Sequence, residues 1–172
     1  MCIRDSSLIA ETFSKCLYCE EKIPSSQHGD VEHLAPKRDF PFLRLVYWNL
    51  SLACIKCNGK KSSNFDAEIP WLNPFEDNPA EHIMACGPML ISKNDSVRGR
   101  HTIGSLHLNR PELVEKRIRK LDRLDALCHS IRAATNSTIK RVLRTELDRE
   151  CESDNEFALV AREFVSWQNL GV

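Results

Sequence analysis

Two short cysteine pairs constrain this chain more than any other feature of its sequence. Cys16 and Cys19 form one Cys-x2-Cys pair, and Cys54 and Cys57 form a second. Each short turn directs two thiolates at a common centre, so the four sulfurs predict a tetrahedral zinc site. A fully thiolate site is closed, and we therefore expect a structural zinc that joins two distant segments. The alternative is four buried free thiols at coincidental spacing.

The composition is that of a globular protein without a membrane span. The chain has 172 residues, 42% of them hydrophobic and 28% charged, and 24 basic and 24 acidic residues give zero formal net charge. No apolar run approaches the ~18–20 residues of a transmembrane helix, and the N-terminus lacks the apolar segment of a secretory signal. We therefore expect a cytoplasmic protein, in which eight cysteines favour metal binding over disulfides.

The chain divides into four stretches. Residues 1–6 resemble a translated sequencing adapter, so 1–7 are interpreted as a non-native leader. Residues 8–65 are predicted to form the zinc-stapled core and 66–108 an irregular, proline-rich and acidic connector with short strands. Residues 109–172 are predicted to be helical. Together these stretches predict an α+β fold with a small zinc-stapled core and a mainly helical C-terminal region.

Apolar periodicity and turn residues give the expected elements of the core and the connector. Within the core the pattern predicts helices near 8–15 and 56–63 and strands over 29–34 and 45–53. Within the connector it predicts short strands at 90–91 and 103–108.

Two helices are predicted in the C-terminal region. We expect a helix to start at Pro111, because proline suits the first helical turn, with Asn109 as its cap. A second helix is predicted over 137–150.

The segment between the cysteine pairs carries a second pattern. Residues 30–33 read Asp-Val-Glu-His, Asn49 and Leu50 precede the second pair, and Asn-Gly-Lys-Lys follows it at 58–61. This order resembles the HNH nuclease family, which has the ββα-metal fold, over about residues 16–65. The resemblance implies a metal-dependent endonuclease.

The residue types suit phosphodiester hydrolysis. A neutral His33 is able to take a proton from the attacking water. Glu32 and Asn58 offer oxygen ligands to a hard cation, Mg2+ or Mn2+. Asp30 competes with Glu32 because both lie on the same strand face, although adjacency to His33 favours Glu32. The resemblance implies that Asn49 steadies the loop around His33; the alternative for His33 is a purely structural histidine.

The residue at position 58 leaves the identity of the catalytic cation open. The commonest form of the HNH pattern has histidine where this chain has Asn58. An amide oxygen is a weaker ligand than imidazole for softer metals. We interpret the chain as an H-N-N variant of the family.

Basic residues indicate where nucleic acid would bind. Lys61 matches the helix lysine of the HNH family, and Lys37 and Lys60 are weaker candidates for phosphate contacts. Basic residues also concentrate between 98 and 149, where a predicted polyanion-binding helix face carries Lys116, Arg117, Arg119 and Lys120. The alternative is an ordinary solvated helix surface. DNA is favoured over RNA, although no base-reading element is visible.

A closer resemblance reaches beyond the core. Residues 31–37, 57–61, 69–77 and 100–110 are similar to the PtuB-like nuclease subunit of Septu-type and retron-associated defence systems. The resemblance implies an antiphage effector that works with a PtuA-like ATPase, in some systems beside a retron reverse transcriptase and its DNA. The alternatives are a non-catalytic zinc module that binds nucleic acid or protein through its basic helices, and a free-standing HNH enzyme.

Overall fold

A computed structural model of the chain describes residues 3–24, 29–61, 66–168 and 170. It confirms the α+β class, with two short β-hairpins and a helical C-terminal region. The helices are α1 (Ile3–Glu11), α2 (Ile55–Lys61), α3 (Pro79–His82), α4 (Val97–Ser105), α5 (Pro111–Ala133), α6 (Ser137–Glu150) and α7 (Ala158–Ser166). The strands are β1 (Asp30–His33), β2 (Leu50–Ala53), β3 (Ile83–Cys86) and β4 (Met89–Ser92). None of the helices in these ranges combines the length and apolar character that a bilayer crossing requires.

The first helix differs from the prediction of 8–15. It covers Ile3–Glu11, so the predicted leader boundary at residue 7 lies inside it, and Met1 and Cys2 lie outside the described residues. Phe13 and Ser14 adopt positive φ angles of 53° and 58°, which end the helix before the first cysteine pair.

The HNH-like segment folds as a hairpin followed by a helix. Strands β1 and β2 pair antiparallel, with His33 opposite Leu50 and Asp30 opposite Ala53. The predicted strand over 45–53 is too long, because β1 ends at His33 and offers no partner before Leu50. Those earlier residues instead form a turn and a 3-10 helix, Tyr47–Asn49. Helix α2 follows at once, and residues 62–63 of its predicted end lie outside the described residues.

The connector contains a second hairpin and a helix. Strands β3 and β4 pair antiparallel across a turn in which Gly87 has φ +57°, a conformation that favours glycine. The prediction at 90–91 is confirmed, whereas β3 was not anticipated. The strand predicted over 103–108 is wrong. Residues 103–105 belong to the end of α4 and 106–108 to the turn after it. Ser96 caps α4 by accepting a hydrogen bond from the Gly99 backbone N–H at 3.1 Å.

The C-terminal helices pack on one another and on the core. Helix α5 begins at Pro111 and α6 covers Ser137–Glu150, both as predicted. Asn109 does not cap α5. Its side chain bonds the backbone N–H and C=O of Leu90 at 2.8 Å each, and so fixes β4 to the start of the helix.

One apolar cluster joins the cysteine pairs to the rest of the protein. It contains Cys16 and Cys57 together with Trp71, Leu113 and Phe157. A second cluster lies between α5, α6 and α7. The site-bearing hairpin is therefore held against both the connector and the C-terminal helices.

Candidate active site and metal centre

The four cysteines meet at one point, as their spacing predicts. Their sulfur atoms all lie within 4.8 Å of one another, and Cys19 Sγ lies 3.9 Å from Cys54 Sγ. A tetrahedral zinc with Zn–S bonds of about 2.3 Å sets its sulfurs about 3.8 Å apart. The group therefore fits zinc, and three of its four cysteines are buried, as expected of a closed structural site.

Arg110 covers this cluster, and the sequence analysis did not identify it as a site residue. Its guanidinium lies 3.5 Å from the sulfur of Cys57, 3.8 Å from that of Cys54 and 3.9 Å from that of Cys19. Burial by itself lowers the pKa of Arg110, but the cysteine sulfurs outweigh it and raise that pKa above its ordinary value. A tetrathiolate zinc centre carries a net charge of −2, so the arginine offsets part of it. The sequence signal that pointed to Arg110 was its position at the end of residues 100–110, which resemble the PtuB-like family.

His33 lies at the end of β1 in a defined orientation. Its Nε2 is 3.1 Å from the backbone carbonyl oxygen of Arg44. A carbonyl oxygen only accepts hydrogen bonds, so in the neutral ring Nε2 carries the proton. The lone pair is then on Nδ1, which is the form that a general base requires.

Asn49 holds the loop on both sides of this histidine. The side chain is completely buried. Its Oδ1 accepts a hydrogen bond from the backbone N–H of Ala35 at 2.7 Å, and its Nδ2 donates to the carbonyls of Ala35 at 3.1 Å and Leu43 at 3.2 Å. Ala35 follows His33 by two residues, and Leu43 precedes Arg44. One side chain therefore fixes both the histidine loop and the carbonyl that orients the ring.

The oxygen ligands proposed for a catalytic cation separate into two groups. Asn58, in the first turns of α2, donates from Nδ2 to Asp30 Oδ2 at 2.9 Å. Glu32 is 3% exposed and is engaged elsewhere, with the ammonium of Lys61 and with the hydroxyl of Tyr18 at 3.1 Å. Burial, followed by the charge of Glu32, raises the pKa of Tyr18 well above its ordinary value, so the phenol remains a donor. These contacts bring Asp30, rather than Glu32, to Asn58.

Lys61 does not occupy a position from which it can contact phosphate. It is 3% exposed, pairs with Glu32, and donates to the backbone carbonyl of His33. Its ammonium also lies 4.9 Å from the ring centroid of Trp71. Burial lowers the pKa of Lys61, while the neighbouring carboxylate opposes that shift. Lys61 would have to leave these internal partners to contact phosphate, so its assignment as a nucleic-acid ligand stays a prediction.

Two of the four basic residues predicted to form a polyanion-binding face on α5 are also internal. Arg117 is 1% exposed, stacks on Phe157 at 5.7 Å and donates to the Pro88 carbonyl at 3.2 Å. Burial lowers its pKa to about 10. Lys120 is buried in a pair with Glu150. Polyanion binding by Arg117 and Lys120 stays a prediction, and it would require both side chains to leave these internal contacts.

Four of the predicted basic ligands remain accessible. Lys116 is partly exposed and pairs with Glu21, whereas Lys37, Lys60 and Arg119 are exposed. Lys37 follows the histidine strand, and Lys60 lies two residues after Asn58 on α2. The accessible positive charge thus lies partly beside the candidate active site and partly on α5.

A comparison with protein families agrees with this geometry. A family model described as HNH endonuclease matches residues 16–64. The chain contains an HNH endonuclease domain. The match covers both cysteine pairs, the β1–β2 hairpin and α2, which confirms the family resemblance for the core.

Two relatives extend the similarity beyond the HNH domain. A Septu protein PtuB of Bacillus thuringiensis is 33% identical over 138 residues, which cover 80% of this chain and 49% of the relative. A Septu protein PtuB of Bacillus mycoides (strain KBAB4) is 26% identical over 190 residues, which cover 87% of this chain and 61% of the relative. The chain is thus homologous to Septu PtuB proteins but spans only about half of the first and three fifths of the second. No solved structure gives a significant match.

Proposed function

We propose that this protein is a metal-dependent endonuclease that hydrolyses phosphodiester bonds in nucleic acid. The observation that carries the proposal is the hydrogen bond between His33 Nε2 and the Arg44 carbonyl, within an HNH domain. That bond leaves Nδ1 of the neutral ring with a lone pair for a proton from the attacking water. A structural histidine has no need of this orientation at the end of a strand that also bears Asp30 and faces Asn58.

The other residues of the domain prepare His33 and the phosphate site. Asn49 keeps the imidazole aligned through the loop that it clamps. The oxygen atoms of Asp30 and Asn58 suit a hard cation, Mg2+ or Mn2+, and Glu32 would join them only by leaving Lys61. When bound, such a cation neutralises charge on the phosphate and stabilises the leaving oxygen. Zinc bound by the four cysteines would join the turn at Cys16 and Cys19 to the start of α2.

The wider role that we propose is that of an effector in antiphage defence. Homology to Septu PtuB proteins supports this role, and with it a PtuA-like ATPase partner and a nucleic-acid substrate. We expect that substrate to be DNA rather than RNA, and the cleavage assay below distinguishes the two. The names of these relatives do not refer to a retron. We therefore leave the retron reverse transcriptase and its DNA out of the proposal.

The alternative, a non-catalytic zinc module that binds through basic C-terminal helices, has less support. Two of the basic residues of α5, Arg117 and Lys120, make internal contacts with Pro88 and Glu150. A zinc scaffold alone also gives no reason for the arrangement of His33, Asn49 and Asn58.

The proposal is tested by a metal-dependent cleavage assay. Wild type and His33→Ala are incubated with plasmid DNA and with structured RNA, in Mg2+, in Mn2+ and in EDTA, with and without the PtuA-like ATPase. Bound zinc is quantified in parallel. We expect cleavage by wild type alone, lost in EDTA, with zinc retained in both proteins. Binding without cleavage under every metal and with the ATPase present would support the zinc-module alternative instead.

A further inference from the structure

A cleft beside the histidine loop is not used by the hydrolysis proposed above. It has a volume of about 450 Å3, within the range of about 300–1,000 Å3 for small-molecule sites. The HNH domain contributes Ala35, Phe40, Trp48 and Asn49 to its lining, and the connector contributes Trp71. We call this space the aromatic cleft.

The two tryptophans of the cleft differ in what they offer. Trp71 is held in place: its Nε1 donates to Ser105 Oγ at 2.6 Å, and its ring lies against Lys61 and stacks with His101 at 5.9 Å. Trp48 is 62% exposed although it is a large apolar side chain. A fixed wall and an accessible aromatic ring form a site for a flat, apolar-faced group.

The charges around the cleft favour a base over a phosphate inside it. Glu76 lines the cleft on the connector side and repels an anion, while Asp77 is neutralised by Arg98 through two hydrogen bonds of 2.7 Å. Positive charge lies outside, on the exposed side chain of Lys37, whereas the neighbouring Arg38 pairs with Asp39. A nucleotide has this distribution, a neutral aromatic base attached to a negative backbone.

The cleft is continuous with the proposed catalytic loop. Asn49 and Ala35 line the cleft and are hydrogen-bonded to each other, and Ala35 lies two residues after His33. The cleft therefore adjoins the loop that carries His33.

We propose that the aromatic cleft receives an unpaired base of the nucleic-acid substrate, stacked on Trp48, while Lys37 contacts a flanking phosphate. This inference rests on the proposed nuclease function and adds a substrate class to it. A base inside a continuous duplex is stacked and paired, so it cannot enter without being flipped out. The preferred substrate is therefore single-stranded or locally unpaired nucleic acid.

The test measures binding by the full chain without added divalent cation, so that the substrate stays intact. Three labelled probes are compared: a single-stranded oligonucleotide, the same backbone with abasic sites, and a fully paired duplex. We expect wild type to bind the single strand more tightly than the abasic strand by about five- to a hundredfold. Trp48→Ala removes that difference, and Trp48→Phe retains most of it.

Trp167→Ala provides the matched control, because Trp167 is 73% exposed on the C-terminal side of α7 and outside the cleft. It leaves all three affinities unchanged. Equal binding of the single strand and the abasic strand by wild type, which needs no variant to fold, overturns the inference. An equal loss for single strand and duplex in Trp48→Ala also overturns it. If Trp48→Ala loses affinity for none of the three probes, the inference is overturned as well, and the exposed ring is assigned to a protein partner.

The inference and the nuclease proposal fail in different ways. Metal-dependent cleavage without base-dependent binding would overturn the base-binding role of the cleft and support the nuclease proposal. Base-dependent binding without cleavage, in Mg2+ and Mn2+ and with the ATPase present, would overturn the nuclease proposal and support base binding in the cleft. Absence of binding to all three probes, with no cleavage, overturns both.

Discussion

The carbonyl oxygen of Arg44 lies 3.1 Å from Nε2 of His33. Because the carbonyl only accepts, this contact selects the ring tautomer and leaves Nδ1 unprotonated in the neutral state. Arg44 is in turn positioned by Asn49, which bonds the adjacent Leu43 carbonyl. The candidate general base is thus oriented by backbone atoms of its own loop rather than by an acidic side chain.

Replacement of His33 tests the role of this ring. We expect His33→Ala to lower metal-dependent cleavage by about 10²–10⁴-fold, the usual contribution of a general base. Zinc content and thermal unfolding should remain those of wild type, because the hydrogen bond that the ring makes within the described residues is to an exposed carbonyl. His129→Ala, an exposed histidine on α5, serves as the control. Cleavage that survives His33→Ala would remove this residue from the mechanism.

Replacement of Asn49 tests positioning. Asn49→Ala leaves the buried polar groups of Ala35 and Leu43 without their partner, at about 1–3 kcal/mol for each unsatisfied group. We expect the cleavage rate to fall further than the folded fraction, measured by urea unfolding, can explain. Asn136→Ala removes the cap of α6 and costs about 1 kcal/mol, so it is the control for a loss of stability outside the site. A fall in the Asn49→Ala rate no larger than its loss of folded protein would mean that Asn49 acts only on stability.

The two acidic residues of β1 should respond differently to amide substitution. Asp30→Asn keeps the shape of the pair with Asn58 but weakens an oxygen site for the cation. We therefore expect a higher Mg2+ requirement for cleavage with little change in unfolding. Glu32→Gln leaves the Lys61 ammonium buried without its carboxylate, which costs about 3–5 kcal/mol.

Titration of cleavage against Mg2+, together with urea unfolding, separates these two effects. Asp39→Asn, at an exposed site, is the control. The reverse pattern, with the Mg2+ requirement raised only by Glu32→Gln, would assign the cation to Glu32.

Removal of zinc should unfold the HNH domain. Binding of zinc by four thiolates contributes on the order of 10–16 kcal/mol of apparent free energy in small zinc domains. Cys57→Ser, or treatment with a strong chelator, should therefore abolish the cooperative unfolding transition of the core. Cys86→Ser alters an exposed cysteine outside the cluster and should change neither zinc content nor unfolding. A Cys57→Ser protein that folds and cleaves normally would contradict a structural role for the metal.

The salt dependence of binding locates the phosphate contacts. Each lysine–phosphate contact contributes about 0.7 on a single strand, and about 0.9 on duplex DNA, to the slope of log K against log salt concentration. The double variant Lys37→Gln, Lys60→Gln should therefore lower the slope for a single strand by about 1.4 if both residues contact phosphate. Arg119→Gln provides the comparison on α5. A slope that changes only with Arg119→Gln would move the polyanion site to the C-terminal helices.

Local patterns in the sequence were sufficient for much of the architecture. The two Cys-x2-Cys turns predicted the metal cluster, because each turn fixes its own pair of sulfurs whatever surrounds it. Pro111 marked the start of α5 for the same reason, since its restricted φ angle suits a first helical turn. The strand predicted over 103–108 was wrong, because its short apolar pattern is shared by strands and buried helices.

The sequence by itself determined which chemical groups this protein has and the order in which the HNH elements follow one another. The tertiary structure alone decided which charges reach the surface. Lys61 and Arg117 belong to patterns typical of phosphate binding, yet each contacts partners that are distant in sequence, such as Glu32 and Phe157. Burial depends on those distant contacts, because desolvation of a charge is compensated only where a partner from another element meets it. The same is true of Arg110, whose place over the thiolates arises only when the start of α5 packs against both cysteine turns.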